Sequence, residues 1–150
     1  MIKSNLTYIF IVVFLTTCKG ETTSVKLDFL PVMGKIIKAK MLKDKIIVYY
    51  HSGDCSFCYG TITAIKKEFP EIPIISISAS KNYELINYYM EQIGFQGISL
   101  IDSTSLFQQK NQQVLNTNNL FLIDLQFNIL AAGENLDERT KGKFMLAIED

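Results

Sequence analysis

This chain of 150 residues has a single histidine, no net charge at pH 7 and only short apolar stretches. One histidine excludes a metal site built from several histidines, and 15 basic against 15 acidic side chains leave no net charge. Without a basic excess, no feature of the composition indicates nucleic acid as a partner. The longest mainly apolar run, residues 6–15, is about half of the roughly 20 residues that cross a bilayer as a helix. The composition therefore predicts one globular domain with a short leader.

The first 30 residues have the pattern of an export signal followed by a tether. Lys3 precedes the apolar run 6–15, and Leu15-Thr16-Thr17-Cys18 then leads into a polar stretch. This pattern resembles a bacterial lipoprotein signal, and the resemblance implies that residues 1–17 are removed and that Cys18 is acylated. Residues 18–30 would then tether the protein to a lipid membrane, in the cell envelope, facing the periplasm or the outer surface. An ordinary secretory signal with an incidental cysteine is the alternative.

Strand and helix patterns alternate from residue 45 onward. Ile46–Tyr50 is an uncharged run of β-branched and aromatic residues, which is typical of a strand buried on both faces. Apolar residues at intervals of three and four predict a helix that begins near Cys55 and ends before Pro70. Further strands are predicted at 72–78, 98–101, 120–124 and 129–133, and further helices at 33–43, 85–93 and 138–149. This order predicts an α/β domain over residues 31–150, with a central mixed β-sheet flanked by helices.

Cys55 and Cys58 form a CxxC motif where the first buried strand gives way to a helix. A cysteine at a helix N-terminus is close to unpaired backbone N–H groups, which favour its thiolate. Cys55 is therefore predicted to be the exposed nucleophile that attacks a substrate disulfide. Cys58 lies one turn later on the apolar stripe and is predicted to be the buried resolving thiol, within disulfide reach of Cys55. This chemistry uses the two thiols alone, without a cofactor or a metal.

The motif, its place on a strand-to-helix turn, and the later apolar runs Leu120–Asp124 and Ile129–Gly133 resemble the thioredoxin superfamily. The resemblance covers residues 33–150 in element order and is greatest to exported thiol–disulfide proteins of the TlpA/ResA type. It implies a thioredoxin-like fold and thiol–disulfide oxidoreductase activity at a redox-active disulfide. The implied partners are protein thiols and disulfides of the cell envelope.

Several positions depart from the pattern of this superfamily. Asn118 aligns with its usual cis-proline, and the three prolines lie elsewhere, at 31, 70 and 73. A cis bond before a non-proline residue costs about 2.5–4 kcal/mol, so the bond before Asn118 is predicted to be trans. Asp54 replaces the usual tryptophan, and its negative charge is expected to raise the pKa of Cys55. The resemblance implies that Asp54, Phe57, Thr117 and Asn118 line the substrate groove.

Two further features concern the surroundings of the motif. His51 is a candidate proton shuttle, or a cation that stabilises the Cys55 thiolate; the alternative is a partly exposed loop histidine without a role. Tyr49 occupies the strand position of the buried acid that the superfamily often has. Residues 108–119 are rich in Gln and Asn and are predicted to form a solvated loop that faces the active site.

Two other functions are open at this point. A non-catalytic thioredoxin-like module would keep Cys55 and Cys58 as a static disulfide and bind a partner or support a surface complex. The missing cis-proline motivates this alternative. A metal site would use both thiolates and His51, although structural zinc usually takes four ligands.

Overall fold

The computed structural model describes residues 24–26 and 44–150, and within them a five-stranded sheet carries helices on its faces. The strands are β1 Lys45–His51, β2 Ile74–Ser78, β3 Ile98–Ile101, β4 Leu120–Asp124 and β5 Ile129–Gly133. The helices are α1 Ser56–Glu68, α2 Tyr83–Gln92, α3 Leu106–Lys110, α4 Gln112–Leu115 and α5 Glu138–Glu149. The predicted leader, residues 1–17, and the predicted helix 33–43 lie outside the described residues.

The strands follow the order β3-β2-β1-β4-β5 across the sheet. β1 and β2 pair in parallel, as do β2 and β3, whereas β4 runs antiparallel to both β1 and β5. This mixed sheet confirms the predicted α/β architecture. Because parallel strands end at the same edge of a sheet, β1 and β2 deliver their last residues to the edge where Cys55 precedes α1.

Burial on both faces of the sheet explains the uncharged strand sequences. Side chains alternate along β1, so that Ile47 and Tyr49 pack in one apolar cluster with residues of α1, α2 and α5. Ile46 and Val48 point to the opposite face and pack in a second cluster, which includes Phe107 of α3. An uninterrupted apolar run is therefore what a central strand of this sheet requires.

The predicted loop over residues 108–119 is wrong, because the helices α3 and α4 take up much of this segment. The Asp102 carboxylate accepts hydrogen bonds of 3.1 Å from the backbone N–H groups of Phe107 and Gln108, and it thereby caps the first turn of α3. Phe107 is fully buried against the sheet. One capping carboxylate and one buried aromatic ring thus hold a helical turn within a sequence whose polar composition suggested a loop.

Residues 24–26, which belong to the predicted tether, are attached to the domain. Ser24 forms a β-bridge with Asn128, and the Val25 N–H donates a 2.9 Å hydrogen bond to the Phe127 carbonyl. Val25 is buried in the cluster on the α3 face of the sheet. Asn128 and Phe127 lie in the turn between β4 and β5, at the end of the sheet opposite to Cys55. Residues 24–26 therefore lie at the end of the sheet far from Cys55.

Candidate active site

The redox pair lies at the junction of β1 and α1. Cys55 and Cys58 are joined by a disulfide, with their Cα atoms 5.6 Å apart. Cys55 is the N-cap residue of α1 and has extended backbone angles, φ −123° and ψ 136°. It is partly exposed, whereas Cys58 is buried among apolar residues of the α1 face. Cys55 is thus the more accessible sulfur for an incoming thiolate.

Gly53 allows the sharp turn between β1 and Cys55. Its φ of +83° lies in the left-handed region, which favours glycine. A Cβ at this position would stand 3.0 Å from the Cβ atoms of both Ser78 and Ser80. The Gly53 carbonyl accepts a 2.8 Å hydrogen bond from the Tyr59 hydroxyl, which ties the turn to α1. The glycine is therefore required by backbone conformation and by close packing together.

Replacing Gly53 with alanine is expected to lower the free energy of unfolding by about 1–3 kcal/mol, because backbone strain and crowding against β2 combine. Urea denaturation followed by far-UV circular dichroism measures this change. Gly60→Ala is the matched control, since Gly60 lies within α1 and an added Cβ would meet no neighbouring atom within 4 Å. In that variant the free energy of unfolding should rise by up to about 1 kcal/mol. Equal stability of Gly53→Ala and the parent protein would contradict the role of this turn.

His51 is buried at the end of β1, with only 5% of its surface exposed. Its Nε2 atom lies 2.8 Å from Ser76 Oγ and 3.3 Å from Ser78 Oγ. Its ring stacks on that of Tyr49, with centroids 4.9 Å apart, and meets the edge of Tyr59 at 5.6 Å. The alternative of a partly exposed loop histidine is therefore wrong, because rings and strand residues enclose this side chain.

Burial lowers the pKa of His51 to about 4, so its imidazole is neutral at pH 7. A neutral ring supplies no positive charge, so the predicted cationic role toward the Cys55 thiolate is not available at neutral pH. The other ring nitrogen, Nδ1, is buried and has no hydrogen-bond partner among the residues that the structure describes. The role of His51 as a proton shuttle stays a prediction, and Nδ1 is the atom that it would use.

Tyr49 stands where the resemblance implies a buried acid. Burial raises the pKa of Tyr49, and burial together with the charge of Asp54 raises that of Tyr59. Both phenols are therefore protonated at neutral pH. With His51 neutral as well, these three rings on the α1 face of the sheet bring no charge to the site.

Asp54 and Phe57 flank Cys55 at the surface. Phe57 is 75% exposed, so it presents an apolar ring at the surface two residues after Cys55. Aromatic side chains of this kind are enriched where proteins contact one another. Solvent around the exposed Asp54 carboxylate screens part of its effect on the Cys55 thiolate.

Thr117 and Asn118, the other residues of the predicted groove, come just before β4. The Tyr50 N–H donates a 2.8 Å hydrogen bond to the carbonyl of Asn119, which brings this segment to the end of β1 that precedes Cys55. Asn118 Nδ2 donates to Thr117 Oγ1 at 2.8 Å. No cis peptide bond occurs in residues 24–26 or 44–150, so the bond before Asn118 is trans, as predicted.

No sequence pattern marks Ser52, yet its side chain reaches the disulfide. Its Oγ atom lies 3.5 Å from Cys58 Sγ and 3.9 Å from Cys55 Sγ. The contact depends on the turn at Gly53, which no periodicity reveals. The sequence shows only that a short polar residue stands three positions before the first cysteine.

The geometry gives no support to the alternative of a metal site. The sulfurs of Cys55 and Cys58 are bonded to each other, and His51 Nε2 is engaged by the serines of β2. Over the described parts of the chain, no three His, Cys, Asp or Glu side chains come together in a way that could hold an ion.

Several solved structures resemble this one at low sequence identity. The thioredoxin domain of a thiol–disulfide oxidoreductase from Bacteroides vulgatus matches with a TM-score of 0.55 and 11% identity, over 70% of this chain and 79% of that one. StoA from Bacillus subtilis matches with a TM-score of 0.51 and 12% identity, over 71% of this chain and 86% of StoA. A secreted disulfide oxidoreductase from Mycobacterium tuberculosis matches with a TM-score of 0.50 and 7% identity, over 71% of this chain and 81% of that one. The chain has a thioredoxin-like fold.

No family model matches the chain, and no curated protein matches it in sequence. The thioredoxin-like fold that the CxxC motif and the apolar runs predict is thus confirmed by three-dimensional similarity. Within this thioredoxin-like domain, the disulfide joins Cys55, which precedes α1, to Cys58 in the first turn of α1.

Proposed function

We propose that this protein is a thiol–disulfide oxidoreductase that acts on protein substrates through Cys55 and Cys58. The observation that carries this proposal is a disulfide at the N-terminus of α1, with one sulfur accessible and the other buried. Similar structures include thiol–disulfide oxidoreductases from Bacteroides vulgatus and Bacteroides fragilis. The exposed ring of Phe57 supports a protein as the substrate, because it offers apolar contact area two residues from Cys55 in the chain.

The proposed reaction has two exchange steps. In the oxidising direction, a substrate thiolate attacks Cys55 Sγ, the Cys55–Cys58 bond breaks, and its electron pair leaves with Cys58. A second substrate thiolate then attacks the substrate sulfur of the mixed disulfide and releases Cys55 as a thiolate. The reducing direction is the reverse of these steps. Backbone N–H groups in the first turn of α1 favour the Cys55 thiolate in either direction.

The proposal includes a place in the cell envelope, with the protein anchored through an acylated Cys18. The segment Leu15-Thr16-Thr17-Cys18 supports this location, as does the resemblance to the secreted Mycobacterium tuberculosis protein. In the described part of the chain, no helix is both long and apolar enough to span a membrane.

The attachment of residues 24–26 bears on how an anchored domain would be oriented. Six residue steps separate Cys18 from Ser24, a distance of about 20 Å at full extension. Ser24 joins the sheet at the end opposite to Cys55, and β1 adds about 20 Å between these ends. An anchored domain would therefore turn its redox pair away from the lipid surface. This orientation favours soluble envelope proteins as substrates.

The reduction potential of the Cys55–Cys58 pair tests the proposed function. The full-length protein, solubilised in detergent, is equilibrated in redox buffers, and its free thiols are labelled and counted. We expect a potential between about −120 and −270 mV, the range of working oxidoreductases. A potential below about −300 mV, or no equilibration within hours, would indicate a structural disulfide instead.

A non-catalytic thioredoxin-like module is the second candidate. The trans bond before Asn118 favours it, because the superfamily usually presents a cis-proline to its substrate. In that case the double variant Cys55→Ser/Cys58→Ser would retain full function in the cell. Loss of function in this variant would reject the module.

A further inference from the structure

The Ser52 hydroxyl contacts both sulfurs of the redox pair. Its Oγ atom lies 3.5 Å from Cys58 Sγ and 3.9 Å from Cys55 Sγ, so the nearer sulfur is the buried one. A sulfur within a disulfide carries no proton, and therefore the serine O–H is the donor in both contacts. Ser52 itself is exposed, which lets its hydroxyl rotate toward whichever sulfur accepts more strongly.

The local backbone explains why the Ser52 hydroxyl can donate to the sulfurs of the disulfide. Cys55 is the N-cap residue of α1, and its own side chain makes no capping hydrogen bond. The left-handed turn at Gly53 brings the chain back on itself and places Ser52 over the disulfide. The neighbouring Asp54 carboxylate opposes negative charge on the sulfurs. A hydroxyl donor at this position would offset part of that opposition.

We infer that Ser52 is a further catalytic residue, which donates a hydrogen bond to Cys58 Sγ as this sulfur departs. This role rests on the proposed function. A substrate thiolate attacks Cys55 Sγ and forms a new S–S bond, while the Cys55–Cys58 bond breaks and leaves its electron pair on Cys58. The Ser52 O–H faces this leaving thiolate and stabilises it. In the reverse step the same hydroxyl holds the Cys58 thiolate near Cys55 until it attacks the mixed disulfide.

The two redox states differ in what Ser52 contributes. A disulfide sulfur is a weak hydrogen-bond acceptor, whereas a thiolate accepts a charge-assisted bond that is roughly twice as strong as a neutral one. Ser52 therefore stabilises the reduced form more than the oxidised form. Greater stability of the reduced form makes a disulfide a stronger oxidant and its potential less negative.

Replacing Ser52 with alanine in the full-length, detergent-solubilised protein tests this role. We expect the equilibrium constant for reduction by glutathione to fall about fivefold, a shift of about 20 mV to more negative potential. The rate at which dithiothreitol opens the disulfide should fall by a similar factor, because Cys58 leaves less easily. Thiol labelling measures the equilibrium, and the rate of thiol appearance measures the opening step.

Two further variants separate the hydroxyl from a merely structural effect. Ser52→Thr keeps a hydroxyl and should restore the potential and the opening rate to within about twofold of the parent. Ser99→Ala removes an exposed serine from β3, two strands away from β1, and should change neither quantity. The role of Ser52 would be overturned if Ser52→Ala had the same reduction potential and opening rate as the parent protein. It would also be overturned if Ser52→Thr behaved like Ser52→Ala while its melting temperature was unchanged. Failure of the parent protein itself to equilibrate would instead reject the proposed function.

Discussion

The Cys58→Ser variant is expected to remain covalently bound to its protein substrate through Cys55. The partly exposed Cys55 can still attack a substrate disulfide, but the thiol that would release the mixed disulfide is gone. An intramolecular thiol held this close acts at an effective concentration far above that of any free thiol, so turnover should fall at least about a hundredfold. Non-reducing electrophoresis of envelope proteins, followed by mass spectrometry of the adducts, measures the trapped complex.

The matched control for this experiment is Cys55→Ser, which keeps the buried Cys58 alone. Only about 6% of Cys58 is exposed, so this variant should form few adducts. If Cys55→Ser trapped partners as well as Cys58→Ser does, the assignment of nucleophile and resolving thiol would be wrong. No adduct in either variant, with a parental potential below about −300 mV, would favour the non-catalytic module.

The fold was predictable from the sequence because its central strands are buried on both faces. The apolar runs predict all five described strands to within two residues, and the spacing of apolar residues predicts α1, α2 and α5. The helices α3 and α4 were missed. What stabilises α3 is the burial of Phe107 and the capping by Asp102, and both depend on contacts with the sheet that composition does not encode.

The candidate active site was predictable only in part, for a similar reason. A CxxC motif on a strand-to-helix turn, with the apolar runs of a hairpin later in the chain, predicts a redox pair. The position of His51 depends on the serines of β2 and on the rings of Tyr49 and Tyr59, which come together only in the folded sheet. The contact of Ser52 with the sulfurs likewise follows from the backbone at Gly53. Local patterns thus located the cysteines, while tertiary contacts decide the electrostatics around them.

The free energy of unfolding is expected to fall by about 3 kcal/mol between pH 6.5 and pH 4 because of the buried His51. Burial lowers its pKa from 6.5 to about 4 in the folded protein. In this pH window the unfolded chain binds a proton at His51 and the folded chain does not, so acid favours unfolding. The contribution is fully present above pH 6.5 and is lost as the pH falls to about 4. Urea denaturation at several pH values measures how the free energy of unfolding changes with pH.

His51→Gln is the control, because glutamine can still hydrogen-bond to Ser76 and Ser78 but does not titrate. The free energy of unfolding changes with pH in both proteins, and the difference between their slopes gives the contribution of His51. The two slopes are compared above the pH at which most carboxylates take up protons. The chain has one histidine, so the two imidazole C–H resonances in the NMR spectrum, from Cε1–H and Cδ2–H, both report its titration without overlap from another histidine. A midpoint near 6.5 would mean that the ring reaches solvent, and it would contradict the buried position. Resonances that do not move down to about pH 5 would support a buried ring that stays neutral.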